Sequence, residues 1–165
     1  ALNKKDHLLE IGFGTGKLMN KITPHLEEGS IDGIDFSKTM VDLAKKKPKN
    51  IKQGKTKIHL GNFDVVSFEE DTYDKIFTVN TVYFWKDPSQ TITKINRLLR
   101  PGGKVVIGFH AKHEMEKMSL HKDIFRYYSP HDMRKLLSTC WDIKNIRILH
   151  KKSKGKTCYC AVAEK

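Results

Sequence analysis

Apolar residues along this chain follow two spacings, and each spacing predicts one type of element. Short, nearly continuous apolar runs bounded by turn residues predict buried strands, and apolar positions three or four residues apart predict amphipathic helices. The predicted strands are residues 7–11, 31–35, 57–60, 73–80, 104–109, 141–149 and 157–163. The predicted helices are residues 17–26, 38–46 and 87–99, with one more helix that begins at Ser129-Pro130.

The order of these elements predicts the fold class. Strands that alternate with helices form a mostly parallel sheet with helices on both faces, a doubly wound α/β arrangement. The last two strands are joined by residues 151–156, which include Gly155 and are short enough for a hairpin, so we expect antiparallel pairing there. Residues 1–165 contain no internal repeat and are expected to form a single domain. The chain starts only a few residues before its first strand, so we also expect that an N-terminal helical segment is missing.

The charge of the chain leaves two interpretations open. Lysine and arginine number 31 and acidic residues 19, which gives a formal net charge of +12. Such a charge attracts polyanions, so RNA is a candidate partner. The lysines are nevertheless spread along the chain, and the densest runs, residues 45–47 and 151–154, contain no aromatic side chain. A lysine-rich surface without a specific partner explains the same charge.

The cysteines and the hydropathy pattern restrict the class of protein further. The chain has three cysteines, and the spacing of Cys158 and Cys160 is not that of a C-x-x-C metal site. We therefore expect no metal, and we predict that these cysteines and Cys140 are small buried side chains in a reducing compartment. The sequence has no run of about 18 apolar residues and no signal-peptide pattern, so a cytoplasmic location is expected.

The most specific motif is Glu10-Ile11-Gly12-Phe13-Gly14-Thr15-Gly16, between a predicted strand and a predicted helix. Glycines adopt backbone angles closed to other residues and let a ligand approach the main chain. The dinucleotide pattern G-x-G-x-x-G requires glycine at position 17, where this chain has Lys17. The P-loop requires Ser or Thr after Gly-Lys, and here Leu18 follows. The pattern that remains is E-x-G-x-G-x-G.

This pattern resembles the first motif of class I S-adenosylmethionine-dependent methyltransferases. The resemblance implies that S-adenosylmethionine is the cofactor. The loop residues of its site would be Glu10, Gly12, Phe13, Gly14 and Gly16. It also implies that Asp35, at the end of the second predicted strand, binds the ribose, a role that suits a carboxylate because it can accept hydrogen bonds from both hydroxyls. Phe36, the next residue, is expected to lie against the adenine.

Later segments are similar to this family in the same order. Gly61-Asn62-Phe63 stands where the family contacts adenine, so Asn62 and Phe63 are expected at the cofactor, although an acid is common where Asn62 stands. Asn80, at the end of the fourth predicted strand, is expected there as well. Residues 98–103 and 125–129 resemble the family's segments before strand five and before the last helix. The resemblance covers the chain from His7 onward and implies a Rossmann-like sheet of seven strands, in the order 3-2-1-4-5-7-6, with the last strand antiparallel.

The same edge of the predicted sheet has candidates for the acceptor site. Tyr83, Phe84 and Trp85 follow the fourth strand and either line an acceptor pocket or pack beneath a lid. His110 follows the fifth strand, where a histidine can act as a general base near neutral pH. His110 and Tyr83 are therefore the candidate catalytic residues. The polar segment 111–122, which contains His113 and His121, is predicted to be a mobile lid.

The acceptor is bounded mainly by what the sequence lacks. Asn80-Thr81-Val82-Tyr83 stands where an N-P-P-Y tetrad would follow the fourth strand, which argues against amide and exocyclic nitrogen acceptors. The chain also lacks a Pro-Cys nucleophile for pyrimidine rings. The overall pattern most resembles family members that act on small metabolites such as quinones, so we predict a small-molecule methyltransferase. An RNA methyltransferase and a non-catalytic cofactor-binding domain of the same fold are the alternatives.

Overall fold

The computed structural model describes residues 1–46, 55–116, 125–153 and 156–165. Its centre is a seven-stranded sheet in the order β3-β2-β1-β4-β5-β7-β6. The strands are β1 (His7–Ile11), β2 (Ser30–Asp35), β3 (Thr56–Leu60), β4 (Tyr73–Val79), β5 (Leu99–His110), β6 (Ile146–Ser153) and β7 (Lys156–Glu164). Strands β1 to β5 pair in parallel, and β7 pairs antiparallel with both β5 and β6. The predicted fold class, strand order and terminal hairpin are confirmed.

Five helices connect or flank these strands in the described residues. They are α1 (Lys17–Ile22), α2 (Lys38–Lys45), α3 (Pro88–Leu98), α4 (Lys112–Glu116) and α5 (Pro130–Leu137). Side chains cap the starts of α3 and α5. Asp87 accepts a hydrogen bond from the Gln90 N–H at 3.0 Å, and Ser129 forms a reciprocal capping box with Asp132. None of the described helices is long and apolar enough to cross a membrane.

Several predicted boundaries were wrong. The hairpin linker is shorter than predicted, because β6 extends to Ser153 and β7 begins at Lys156. Three other boundaries differ for a local reason. Helix α1 ends at Ile22, and Thr23–His25 form a 3₁₀ turn that contains Pro24. Strand β5 begins five residues before the predicted start, because Leu99 already pairs with Tyr73 and the backbone of Lys165 bonds to that of Gly102 and Gly103. Strand β6 begins at Ile146 rather than at residue 141, after a 3₁₀ turn at residues 143–145.

The two faces of the sheet are covered unequally. Leu9 of β1 packs with α3 and α5 in the larger core, and its neighbour Leu8 packs with α1 and α2 in a second cluster. Over β4 and β5, the second face forms an open groove of about 460 Å³, and Val79 in this groove is 47% exposed. Helices therefore lie on both faces as predicted, but among the described residues those on the second face do not extend over β4 and β5.

The predicted lid begins as packed structure. Residues 112–116 form helix α4, and Ala111 and Met115 are buried at 1% and 5% exposure. The remainder of the predicted lid, including His121, lies outside the described residues, and the side chain of His113 does so too. Lys47 of the first lysine run and Gly155 of the hairpin linker also lie outside them.

Candidate active site

The loop between β1 and α1 has a backbone that glycine adopts most easily. Gly12, Gly14 and Gly16 have φ angles of +70°, +55° and +72°. This left-handed region costs a residue with a Cβ about 1–2 kcal/mol. The Gly12 N–H donates to the Ile34 carbonyl at 2.7 Å, which joins the loop to the end of β2. The turn itself therefore requires the alternating glycines of the sequence motif.

Gly12 also makes a close approach to the segment after β4. A Cβ placed on Gly12 would lie 2.4 Å from Cγ2 of Thr81, whereas a Cβ on Gly14 would meet no atom within 4 Å. Thr81 is held in place by a hydrogen bond to Thr78, whose hydroxyl donates to the Ile11 carbonyl at 2.8 Å. The position of Thr81 therefore depends on the absence of a side chain at residue 12.

We expect Gly12→Ala to destabilise the fold by about 2–3 kcal/mol and Gly14→Ala by about 1–2 kcal/mol. Both substitutions put a Cβ on a left-handed backbone, but only the first also places a methyl group against Thr81. Urea denaturation of both variants and the wild type measures the difference. Equal free energies of unfolding for the two variants would contradict the close approach.

Asp35, the last residue of β2, connects the glycine loop to the start of α2. Its Oδ2 accepts a hydrogen bond from the Gly14 N–H at 2.8 Å, and its Oδ1 accepts one from the Ser37 N–H at 2.9 Å. The side chain is nearly buried, with 7% of the residue exposed, and it lines a cleft. Each carboxylate oxygen has a second acceptor site, so the two backbone bonds leave capacity for a pair of ligand hydroxyls.

The cleft opens at the carboxyl edge of β1 and β2 and has a volume of about 440 Å³. Five of the predicted cofactor residues line it: Gly12, Asp35, Phe36, Asn62 and Phe63. The Phe36 ring is available for stacking because the residue is 74% exposed. A carboxylate with free acceptor capacity and an exposed aromatic ring fit the ribose and the adenine of S-adenosylmethionine.

Glu10 lies beside the glycine loop but not in the cleft. Side chains alternate along β1, so Ile11 lines the cleft while Glu10 points toward α1 on the other face. Burial raises the pKa of Glu10 to about 8, the backbone N–H of Met19 lowers it in part, and the charge of Asp35 raises it. Its Oε2 is buried without a hydrogen-bond partner. Glu10 is therefore a protonated, buried acid at neutral pH.

Other predicted cofactor residues also lie outside the cleft lining. Phe13 packs in the second hydrophobic cluster at 5% exposure, against Met19 and the strand face. Asn80 has a φ angle of +58°, which Asn tolerates better than most residues, and its N–H donates to the Gly108 carbonyl at 2.9 Å. Asn80 is exposed at the edge of the sheet and lies next in sequence to Thr81 of the cleft.

Tyr83 is buried beneath the edge of the sheet rather than open to the cleft. It is 3% exposed, and its hydroxyl accepts a hydrogen bond from the His110 N–H at 2.5 Å. The same hydroxyl lies 3.4 Å from Oδ1 of Asn80, and burial raises its pKa. The adjacent residues Phe84 and Trp85 line the cleft instead. The hydroxyl of Tyr83 therefore connects the ends of β4 and β5.

His110 ends β5 at the same edge but does not line the cleft. Its Nδ1 lies 3.8 Å from Sγ of Cys158 on β7.

Cys158 is exposed and Cys140 and Cys160 are half-buried, so the prediction of buried cysteines was wrong. Within the described ranges, no three His, Cys, Asp or Glu side chains lie close enough to hold a metal ion.

Sequence reasoning missed several residues that form the cleft or hold its wall. Thr81 and Lys86 line it, and Lys94 of α3 contacts its wall from behind. Thr81 had a signal, because it comes immediately after a predicted strand end. Lys94 had none, because it lies 31 residues from Phe63, the lining residue whose carbonyl it bonds.

Comparisons with known proteins agree on one family. The profile of the family described as "Methyltransferase domain" matches residues 9–107. The uncharacterized methyltransferase YdaC of Bacillus subtilis is 32% identical over 109 residues, which cover 65% of this chain and 58% of YdaC. The ubiquinone/menaquinone biosynthesis C-methyltransferase UbiE of Geotalea daltonii is 29% identical over 123 residues, which cover 73% of this chain and 51% of UbiE. The match thus spans little more than half the length of these relatives.

A solved structure shares the fold across the whole chain. Phosphoethanolamine N-methyltransferase 2 of Haemonchus contortus, solved with phosphomonomethylethanolamine and S-adenosylhomocysteine, superposes with a TM-score of 0.82. The alignment covers 100% of this chain and 50% of that one. The sequence identity is 16%, so the likeness concerns the fold alone.

Proposed function

Because the chain belongs to the methyltransferase-domain family, whose cofactor is S-adenosylmethionine, we propose that it transfers the cofactor's methyl group to a small molecule. The cleft carries the cofactor part of this proposal. Its volume of about 440 Å³ is within the usual range for small-molecule sites, and its walls are mostly apolar with Asp35 as a fixed polar group. The quinone-pathway name of one relative also supports a small acceptor.

We further propose a role in cofactor binding for each of several cleft residues. Bound S-adenosylmethionine supplies an electrophilic methyl group on a sulfonium sulfur. Asp35 would accept hydrogen bonds from the ribose hydroxyls, and Phe36 would stack against the adenine. Asn62 and Phe63 line the cleft and would form the wall next to the adenine, although Phe63 is largely buried in the core. These contacts would hold the cofactor for reaction with the acceptor, and holding both reactants in the right geometry can lower the barrier by about 7–11 kcal/mol.

The acceptor would enter beside the aromatic residues after β4. Phe84 and Trp85 line the cleft next to Lys86, so this end offers apolar walls and one positive charge. Phe84 is 53% exposed, and the centres of its ring and the Phe125 ring are 5.0 Å apart. Such a mouth suits a flat apolar acceptor with an acidic or phenolic group. His110 ends the adjacent strand outside the cleft lining and is the candidate base. Tyr83 is buried and accepts a hydrogen bond from the His110 N–H, so we assign it a positioning role in place of the predicted catalytic one.

Binding of S-adenosylhomocysteine tests the cofactor part of the proposal. At a ligand concentration of about 100 times Kd, it should stabilise the fold by about 2.7 kcal/mol. For a protein of this size we therefore expect the melting temperature to rise by about 5–10 °C. Differential scanning fluorimetry measures the shift. No shift at saturating ligand would contradict the proposal.

The acceptor is identified by labelling. The protein is incubated with methyl-labelled S-adenosylmethionine and either a metabolite extract or total RNA, and the label is located by mass spectrometry. We expect the label in small molecules, and Asp35→Ala should remove it. Label in RNA, with binding that weakens steeply with salt, would replace the proposal by the RNA alternative that the charge of +12 suggests.

A further inference from the structure

The wall of the cleft after β3 is a tight turn, in which oxygen atoms of Asn62 accept hydrogen bonds from N–H groups of the turn itself. The Asn62 carbonyl accepts hydrogen bonds from the N–H groups of Val65 and Val66, both at 3.0 Å. The Asn62 side-chain oxygen accepts another from the Asp64 N–H at 3.0 Å. The turn places Asn62, Phe63 and Asp64 in the cleft lining. Its own bonds leave the carbonyl groups of Phe63 and Val66 to be satisfied from outside.

Lys94 of α3 satisfies both of these carbonyl groups. Its Nζ donates to the Val66 carbonyl at 2.6 Å and also to the Phe63 carbonyl. The ammonium group lies 4.8 Å from the centre of the Phe63 ring, within the range of a cation–π contact. Burial lowers the pKa of Lys94, and the nearby Asp64 raises it. The side chain thus spans the turn from behind the cleft.

A second contact from the same helix reinforces this one. The Thr91 hydroxyl, one turn earlier on α3, donates to Oδ1 of Asp64 at 2.7 Å. Thr91 is buried at 1% exposure, and its hydroxyl oxygen also lies 3.0 Å from the Asp87 carbonyl oxygen, so its one hydrogen is shared between the two acceptors. Two side chains of α3 therefore hold the turn at three points. Neither Lys94 nor Thr91 lines the cleft itself.

We propose that Lys94 is a positioning residue for cofactor binding, which fixes the wall at Asn62 and Phe63 through the carbonyl groups of Phe63 and Val66. The proposal rests on the proposed function, because it takes this wall to be the adenine side of the site. If the turn is already ordered in the free protein, binding does not carry the entropy cost of ordering it. The protein then binds its ligand with higher affinity. Loss of the ammonium group would leave two carbonyl groups without their donor and release the turn.

The test compares Lys94→Met with the wild type by isothermal titration calorimetry with S-adenosylhomocysteine at 10 °C. We expect Kd to rise about tenfold, since two charge-assisted hydrogen bonds that order the wall are lost. Lys94→Arg keeps a cationic donor and should restore most of the affinity. Arg97→Met is the matched control, because Arg97 pairs with Glu70 on the exposed side of the same helix. Its Kd should equal that of the wild type.

The possible outcomes separate this proposal from the one on which it rests. If the wild type does not bind S-adenosylhomocysteine, the proposed function fails. If the wild type binds and Lys94→Met binds equally well, the positioning role fails. A lower melting temperature with unchanged Kd would show a purely structural role and would also overturn it. Thr91→Val, which removes only a hydroxyl, provides a milder variant whose Kd should rise about threefold if the wall must be held.

Discussion

Asp35→Ala should weaken the binding of S-adenosylhomocysteine by about a hundredfold. The substitution removes the acceptor for both ribose hydroxyls, and each hydrogen bond to a charged group is worth about 1.5–3 kcal/mol. It also releases the N–H groups of Gly14 and Ser37, which the carboxylate now holds at 2.8 and 2.9 Å. Isothermal titration calorimetry at pH 7.5 measures the loss of affinity.

Two further variants define what the carboxylate contributes. Asp35→Asn keeps one acceptor oxygen and should lose less affinity than Asp35→Ala. Asp42→Ala removes an acid of α2 that pairs with Lys38 at the surface, so it should leave Kd unchanged. If Asp35→Ala binds as tightly as the Asp42→Ala control, the ribose site lies elsewhere in the cleft.

The parts of the candidate site whose position could be predicted from sequence are those whose geometry is local. The glycine loop needs its left-handed angles within five residues, and Asp35 follows directly from the end of a strand. The fold was predictable for a related reason, because the alternation of strands and helices already determines a parallel sheet. Even Glu10 had a usable signal. On a strand it must face away from Leu9 and Ile11, so the alternation placed it outside the cleft.

The parts that sequence did not predict depend on how chain segments turn or meet in space. A 3₁₀ turn at Val82–Phe84 directs Tyr83 inward and Phe84 outward, and an aromatic run carries no sign of this direction. Lys94 contacts a turn 28 residues away, so its role follows only from the packing of α3 on the sheet. The open groove over β4 and β5 was missed because the order of helices does not tell how far each one covers.

Glu10→Gln should gain stability relative to the wild type as the pH rises. The difference between their free energies of unfolding should grow by about 4–5 kcal/mol between pH 4.5 and pH 8. The pKa of Glu10 is raised from 4.5 to about 8 in the folded protein, mainly by burial. Below pH 4.5 the carboxyl is protonated in both the folded and the unfolded chain. Between the two values only the unfolded chain releases the proton, so the free energy of unfolding falls by about 1.4 kcal/mol per pH unit. Above pH 8 both release it, and the loss levels off.

Urea denaturation of the wild type and Glu10→Gln at pH 5.0, 6.5 and 8.5 measures this effect. Every other titrating group is common to both proteins, so the difference between them isolates residue 10. The side-chain amide introduced by Glu10→Gln does not titrate, so the cost of burying it is the same at every pH. It shifts the difference in free energy of unfolding by one constant and leaves the change of that difference with pH unaffected. A difference that stays the same from pH 5.0 to pH 8.5 would mean that Glu10 ionises in the fold as it does in water. Asp35→Ala gives an independent check, because the charge of Asp35 raises the pKa of Glu10. Without that charge the pKa of Glu10 should be lower, so the fall in the free energy of unfolding with pH should level off at a lower pH.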